Sequence, residues 1–468
     1  MDSDIKQIST RWRTNYRAVQ EMVARKWMPE KERVFVAFNA NIDTLHKLSE
    51  KRLEKIIAEN GGNKIHSMAK KPPENITSKA DFLANLIYTI KTSSAREIAC
   101  QNKKVAEWAD ENFPPKEERT GGQAGIMANY LAGLEIDVIA YTPLLSGKQA
   151  SFFNSEVKYP SVKNRKLAIV AIKKASNSER TKINRIFEFK KGFKLGSTTS
   201  CRANRFILAS RPKGTEPYFS KELEAYIPKM FQGVNRVILS GYQSEKACNL
   251  AHFRKARMQI RKIKKSNPKL LIHLEEAFVS DKGLEKDIVE YIAKNVDSIG
   301  MNEVEVRQIA SCVLQKRTLE KYPKNTLEGL YALGVQIAKK LGLLRAHIHY
   351  LGFYIAIVNK KYPIQPENVR DALLYASLAA EARAKKGALP SRKDIFTQKL
   401  NDISEKGIQE IRALQKALHL CEGFLTTGIC EMDGHYLIAV PTIISKHPKT
   451  TVGMGDVISS SAFAGEVV

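Results

Sequence analysis

The residues best suited to chemistry come last in the chain. TVGMGD at 451–456 sets glycines at 453 and 455, which let a backbone turn tightly and aim several N–H groups at one point. The small-residue stretch that follows, VISSSAFAGEVV, reads as a helix whose dipole adds positive charge there. The product is an anion hole. Asp456 at its lip can take the proton of an attacking hydroxyl, so one turn would both stabilise a transferring phosphoryl group and activate its acceptor. The alternative is a plain glycine turn with Asp456 as a helix cap. The turn lacks the GxxxxGK[ST] spacing of a P-loop.

Two acidic motifs, HLE at 273–275 and NEVE at 302–305, follow apolar runs. Phosphoryl transfer from a nucleotide needs a divalent cation, and magnesium takes oxygen ligands while keeping several waters, so one or two carboxylates suffice. Glu275, Glu305 and Asn302 are the candidate ligands. Asn302 followed three residues on by Glu305 is equally a capping box, and His273 equally a core histidine. Near the start, NANID spaces Asn39, Asn41 and Asp43 at alternate positions. On extended chain these side chains face one way, toward a polyhydroxylated ligand, unless they cap a turn. Gly121, Gly122 and Gln123 offer backbone approach and an amide to a second side of that ligand.

Such groups need a scaffold that brings them together. From Val237 short apolar runs alternate with helical stretches: VILSGY, a basic helix within 243–265, LLIHLE, a helix from Lys282, VDSIGMN, helices at 303–314 and 325–341, AHIHYLGFYIAIV, and HYLIAVPT. This alternation predicts a parallel sheet covered by helices on both faces, with ligands at the carboxyl ends of its strands. RVFVAFNANID is expected in the same sheet. Between it and about Arg205 the pattern changes: IVAIKKAS and NRIFEFKKGF alternate apolar and polar residues as half-buried strands do, with a helix over residues 79–92. The expectation is a lid of residues 45–117 and 146–203 on a large domain of residues 1–44, 118–145 and 204–468, with GGQAGIMANYLAGL opening a core helix of the large domain.

A chain of 468 residues exceeds what one core fills, which is roughly 250–300 residues. With 76 Lys and Arg against 49 acids the net charge is +27, suited to nucleic acid or to phosphorylated small molecules. The basic residues are spread along the chain, as in RKIKK at 261–265 and FKKGFK at 189–194, and carry no nucleic-acid-binding signature, so the reading is solvated faces that steer anionic substrates. No stretch approaches the ~18 apolar residues of a membrane span, and MDSDIKQIST is no signal peptide. Cys100, Cys201, Cys248, Cys312, Cys421 and Cys430 form no CxxC pair, which fits a reducing cytosol.

With NANID, GGQAG, HLE, NEVE and TVGMGD in this order, the chain resembles the archaeal ADP-dependent sugar kinases, in their phosphofructokinase/glucokinase branch, over nearly its full length. The resemblance implies an α/β fold: a ribokinase-like three-layer α/β/α domain with a smaller α+β lid. It implies transfer of the β-phosphoryl of ADP to fructose 6-phosphate, giving fructose 1,6-bisphosphate and AMP, and also to glucose. Mg2+ or another divalent cation would assist, in a cytoplasmic monomer or small homo-oligomer with no nucleic-acid or membrane partner. By this likeness Asp456 is the catalytic base, and Gly453, Met454 and Gly455 line the nucleotide phosphates. Glu275, Glu305 and Asn302 belong to the metal motifs, and Asn41, Asp43, Gly121, Gly122 and Gln123 to the sugar site. Arg205, in NRFI, takes the place of an arginine that reaches the transferring phosphate, with Arg202 as its competitor. Val440, in a loop after HYLIAVPT, and His349, beside His347, would border the adenine. Glu97, in SAREIA, stands where a lid carboxylate accepts hydrogen bonds from glucose hydroxyls, and Lys158, Lys173, Lys174, Lys190, Lys191 and Lys194 are the lid cations available to a sugar phosphate. The remaining alternatives are an ADP-dependent glucokinase only, or an ATP-dependent ribokinase-like sugar kinase.

Overall fold

The computed structural model describes residues 3–25, 32–100, 102–245, 249–323, 325–450 and 452–466. Thr451 and Cys248 lie outside them. Strands such as Arg33–Ala37, Arg236–Leu239 and Leu271–Glu275 are apolar on both faces and buried on both, which suits the interior of a parallel sheet. They form the middle of an eleven-stranded sheet. Arg345–Tyr350, Ser298–Asn302, Leu271–Glu275, Arg236–Leu239, Arg33–Ala37, Asp137–Tyr141 and Lys158–Lys163 pair in that order, all parallel. Phe353–Asn359, His435–Pro441 and Ile429–Met432 extend one edge antiparallel, and Lys166–Ala171 closes the other. Helices pack on both faces, among them Gln123–Gly133, Pro366–Lys386 and Met454–Ala464 on one side and Leu250–Ser266, Glu303–Val313 and Leu327–Leu341 on the other.

A second sheet of five strands forms a smaller unit, called the lid for its place in the expected arrangement, in the order Arg96–Ala99, Asn204–Ser210, Ile183–Phe189, Asn41–Lys47, Pro115–Gly121. Its helical side has its own core, in which Phe82 packs edge-on against Phe187 at 5.0 Å and His46 stacks on Phe187 at 4.6 Å. Two cores explain why 468 residues do not fold as one.

Three boundary expectations are corrected by the strand pairing. RVFVAFNANID is not one strand: it leaves the large sheet after Ala37 and enters the lid sheet at Asn41, the crossing pinned where Phe38 N–H donates to Ser240 O (3.1 Å) and Ala124 N–H to Asn39 O (2.9 Å). The hairpin holding IVAIKKAS, Lys158–Lys163 with Lys166–Ala171, belongs to the large sheet; its alternating pattern arises because an edge hairpin has one wet face, with Ile169 38% exposed. Asn204–Ser210 belongs to the lid, paired with Ile183–Phe189 and Arg96–Ala99. Alternation reports half-burial and does not say in which sheet. AHIHYLGFYIAIV is two antiparallel strands joined at Leu351 and Gly352. Cys100, Cys201, Cys312, Cys421 and Cys430 are unpaired thiols.

The helix Met454–Ala464 is held at its far end by charge buried under the sheet. Glu466, fully buried, accepts from Arg345 Nε at 2.5 Å and from Tyr362 OH at 2.5 Å, while Arg236 donates to its backbone carbonyl. Removing one partner of such a cluster leaves buried guanidinium groups uncompensated. Glu466→Ala is therefore expected to destabilise the fold by about 3–5 kcal/mol, read as a lower denaturation midpoint.

Candidate active site

The terminal turn forms as the spacing predicts. Gly453 takes a left-handed φ of +64° and the helix starts at Met454, so the first N–H groups of the helix have no partner within it and face a common point. A Cβ on Gly455 would come within 3.4 Å of His349 Nε2, which packs beneath the turn. Small side chains let the helix sit close to its neighbours: Ser459, Ser460, Ser461, Ala462 and Ala464 are all buried, and Ser461 hydrogen-bonds Tyr130 of Gln123–Gly133 at 2.7 Å. Asp456 points from the first helical turn toward charged groups on four other elements, Arg383, Asp43, Glu275 and Glu305. Burial raises its pKa to about 6; Arg383 pulls it down and Asp43 pushes it up.

The mid-chain carboxylates meet Asp456 from the strand ends. Glu275 is 5% exposed and its pKa is raised well above the ordinary carboxylate value, by burial first, against a hydrogen bond from Ser459, and then by Asp456 and Glu305. Glu305 is raised to about 7 by burial, with Glu303 and Asp456 adding to the rise. Asn302 and Glu305 form a full capping box: the Asn302 amide oxygen accepts from Val304 and Glu305 N–H, and Glu305 Oε2 accepts from Asn302 N–H at 2.7 Å. Both lone pairs of Asn302 Oδ1 are thus occupied. Asn302 thereby holds Glu305 in place, a capping role compatible with its place in the candidate metal motif. His273 is a core histidine: it stacks on Phe463 at 4.7 Å, bonds Ser298 and Ser459, and stays neutral because burial pushes its pKa well down.

At the lid end, Asn41 and Asp43 are buried, and Asn41 Nδ2 donates to Asp43 Oδ1 at 2.6 Å. Asn41 Oδ1 has no donor of its own. Gly121 and Gly122 run against them: a Cβ on Gly121 would collide with the Asp43 carboxylate, and one on Gly122 with the Asn39 carbonyl. Gln123 sits behind, accepting from Gln243 at 2.9 Å and donating to Glu276 O at 3.1 Å. Further along, Glu97 pairs with Arg211 at 2.6 Å. Partial burial pushes Glu97 up, but Lys182 and Arg211 outweigh it and its pKa is lowered. Lys182 is buried, donates to Asn39 Oδ1 at 3.1 Å, and falls to about pKa 8 through burial, partly offset by Glu97 and Asp43. Lys182, Arg211, Asn39 and Ser244 line one small pocket.

A cleft of about 1060 Å³ opens between lid and turn, bordered by Leu45, Lys190 and Arg205 on the lid and by Lys449, Thr450 and Val452 on the large domain. Arg205 faces that cleft, whereas Arg202 is tied to the Ser93 carbonyl at 2.8 Å. Val440 lies inside the strand His435–Pro441, fully buried and paired with Tyr354, so it belongs to no loop. Both ring nitrogens of His347 and Nδ1 of His349 are buried without partners, and burial lowers the His349 pKa to about 4. Of the six lysines picked for a sugar phosphate, Lys158 is in the large sheet and bound to Asp137 at 2.8 Å, and the other five are exposed. The inward cations are Lys182, Arg211 and, opposite Asp43 on the next strand, Arg119. Sequence reasoning missed these and Arg383. Among 76 basic residues, nothing in spacing marks them; only the tertiary contacts do.

A helix N-terminus with a carboxylate in its first turn, beside a polar cleft, is suited to moving a phosphoryl group onto a hydroxyl, and the class this fold and site define is that of the small-molecule kinases. Residues 32–465 match the ADP-specific Phosphofructokinase/Glucokinase conserved region. The chain is 32% identical to the ADP-specific phosphofructokinase of Pyrococcus furiosus, over 92% of this chain and 96% of that protein. It is 32% identical to the ADP-dependent glucose/glucosamine kinase of the same organism, over 97% and 98%. A solved ADP-dependent kinase complex with fructose-6-phosphate and ADPbetaS superposes with a TM-score of 0.80 at 32% identity, covering 98% of this chain and 97% of that one. The chain belongs to the ADP-specific phosphofructokinase/glucokinase family.

Gly300 is the crowded point beneath the carboxylates, since a Cβ there would lie 2.5 Å from Glu275 Oε2 and Ser459 Oγ and 2.8 Å from His273 Nε2. Gly300→Ala is expected to cost about 1–3 kcal/mol by overpacking, measured as a lowered melting temperature relative to the parent chain.

Proposed function

We propose that the protein transfers the β-phosphoryl group of ADP to fructose 6-phosphate, and also to glucose, in the cytoplasm. The observation that carries this reading is the line of charged groups running from Asp456 past Asp43 to Lys182, Glu97 and Arg211. One end suits the attack of a hydroxyl on a phosphoryl group. At the other, Lys182 and Arg211 offer two cations for a sugar phosphate, beside Glu97, a carboxylate able to accept hydrogen bonds from a sugar without one. Asp456 is the base, and with a pKa of about 6 it is ionised at neutral pH yet still able to hold a proton. Asn41 and Asp43 orient the sugar. Gly121 and Gly122 keep the backbone close to it. The N–H groups at Gly453–Gly455 and the Arg205 guanidinium receive the phosphoryl charge.

Glu275 and Glu305 fit a divalent cation. They are two buried carboxylates with raised pKa values beside a third, Asp456, an arrangement of like charges that a cation relieves. Among the described residues no three His, Cys, Asp or Glu form a closed cage, so the ion would keep water, as magnesium does. Bound there, it would spread the negative charge of the nucleotide phosphates. No described helix is long and apolar enough to cross a membrane.

Assaying the purified chain with ADP or ATP against fructose 6-phosphate or glucose tests the assignment. Turnover with ADP and fructose 6-phosphate is expected; turnover with ATP alone sinks the donor assignment. Asp456→Asn should bind sugar as the parent does and lose ~100-fold or more in kcat. Because the base works ionised, parent kcat should rise with pH through about 6. Lys182→Met should raise KM for fructose 6-phosphate by ~10-fold or more, as the loss of a charge-assisted contact predicts, and should change KM for glucose far less.

A further inference from the structure

The last turn of Pro366–Lys386 grips the segment that leads into the catalytic turn. Lys449 N–H donates to Ala384 O at 2.8 Å. Arg383 donates twice to one atom, the Val452 carbonyl oxygen, from Nε at 3.1 Å and from Nη2 at 2.6 Å. Arg383 is only 6% exposed. A buried guanidinium is costly unless its charge and donors are used, and hydrogen bonds to Val452 leave its charge without an answer. That answer lies at Gly453: a Cβ built there would meet Arg383 Nη2 at 3.0 Å and Asp456 Oδ2 at 3.3 Å. The two charged groups therefore border the same space that a side chain on Gly453 would fill, and its lack of one is what lets them approach.

We propose that Arg383 is a positioning residue of phosphoryl transfer, which clamps the Val452 carbonyl to aim the Gly453–Gly455 N–H groups into the cleft and brings its charge to Asp456 through the space left by Gly453, holding that carboxylate at the lip. The inference rests on the kinase reading above. It differs from a packing role because the forked donor pair acts on the peptide immediately before the anion hole, where a small rotation redirects every N–H that follows. Four charged groups face Asp456: Arg383 from Pro366–Lys386, Asp43 from the lid, and Glu275 and Glu305 from the strand ends. Arg383 alone among them favours the ionised carboxylate.

The test compares the full-length parent chain with Arg383→Met and Arg383→Lys, using ADP, Mg2+ and fructose 6-phosphate at a temperature below all three melting points. Arg383→Met should lower kcat by ~100-fold, the scale of a 1 Å misplacement, with KM for the sugar within about threefold. Arg383→Lys keeps the charge but not the fork, so its kcat should drop by ~10-fold with KM for the sugar unchanged. A kcat for Arg383→Met within threefold of the parent, or a loss that appears in KM for the sugar instead of in kcat, overturns the proposal even if the melting point falls. Should Arg383→Met not fold, undiminished kcat in Arg383→Lys overturns it. A parent chain inactive with ADP removes the kinase reading itself, an outcome distinct from active variants.

Discussion

Four carboxylates, Asp43, Glu275, Glu305 and Asp456, are drawn largely out of water around one point, and the rest of the architecture exists to make that arrangement tolerable. Like charges at low dielectric raise one another's pKa, and here burial and mutual repulsion act together. The fold answers the cost with donors: Asn41 to Asp43, Ser459 to Glu275, the Asn302 backbone to Glu305, and the charge of Arg383 beside Asp456. These donors offset only part of that cost, and the pKa values of all four carboxylates remain raised.

Each carboxylate arrives on a different element, so the site is as rigid as the sheet that aligns them. Glu275 and Glu305 come from neighbouring parallel strands or the helix that follows one, and they share the carboxyl edge where such sheets collect ligands. Asp456 comes from a helix gripped at both ends, by Arg383 before its first turn and by the Glu466 cluster after its last. Asp43 alone comes from the lid. Because the chain crosses from one sheet to the other between Ala37 and Asn41, Asn41, Asp43 and Lys182 lie at the junction itself, Lys182 held there by the Ile42 N–H that donates to its carbonyl, whereas Glu97 and Arg205 stand on other strands of the second sheet.

The contrast between expectation and structure has a physical pattern. Motifs whose function is local were legible: a glycine turn opening a helix, an Asn followed three residues later by Glu, and polar residues at alternate positions on extended chain all depend on neighbours within a few residues. The sheet partners were less so. The hairpin at 158–171 looked like lid because it alternates, yet an edge of the large sheet alternates for the same reason, one dry face and one wet. Val440 looked like the start of a loop and is a fully buried strand residue.

Cations show the limit most plainly. Lysines at 158, 173, 174, 190, 191 and 194 were the ones expected to serve a sugar phosphate because they fall in the expected lid, but five are exposed and Lys158 is paired with Asp137 in the large sheet; Lys182 is the one shut in beside Asp43 and Glu97. The sequence by itself determined the class of chemistry, the order of the motifs and the family, because these rest on residue type and short spacing. Which strands pair, which arginines turn inward, and that Arg383 meets Asp456 at Gly453 were decided only by tertiary structure, because burial and the electrostatics it amplifies depend on contacts between residues tens to hundreds of positions apart.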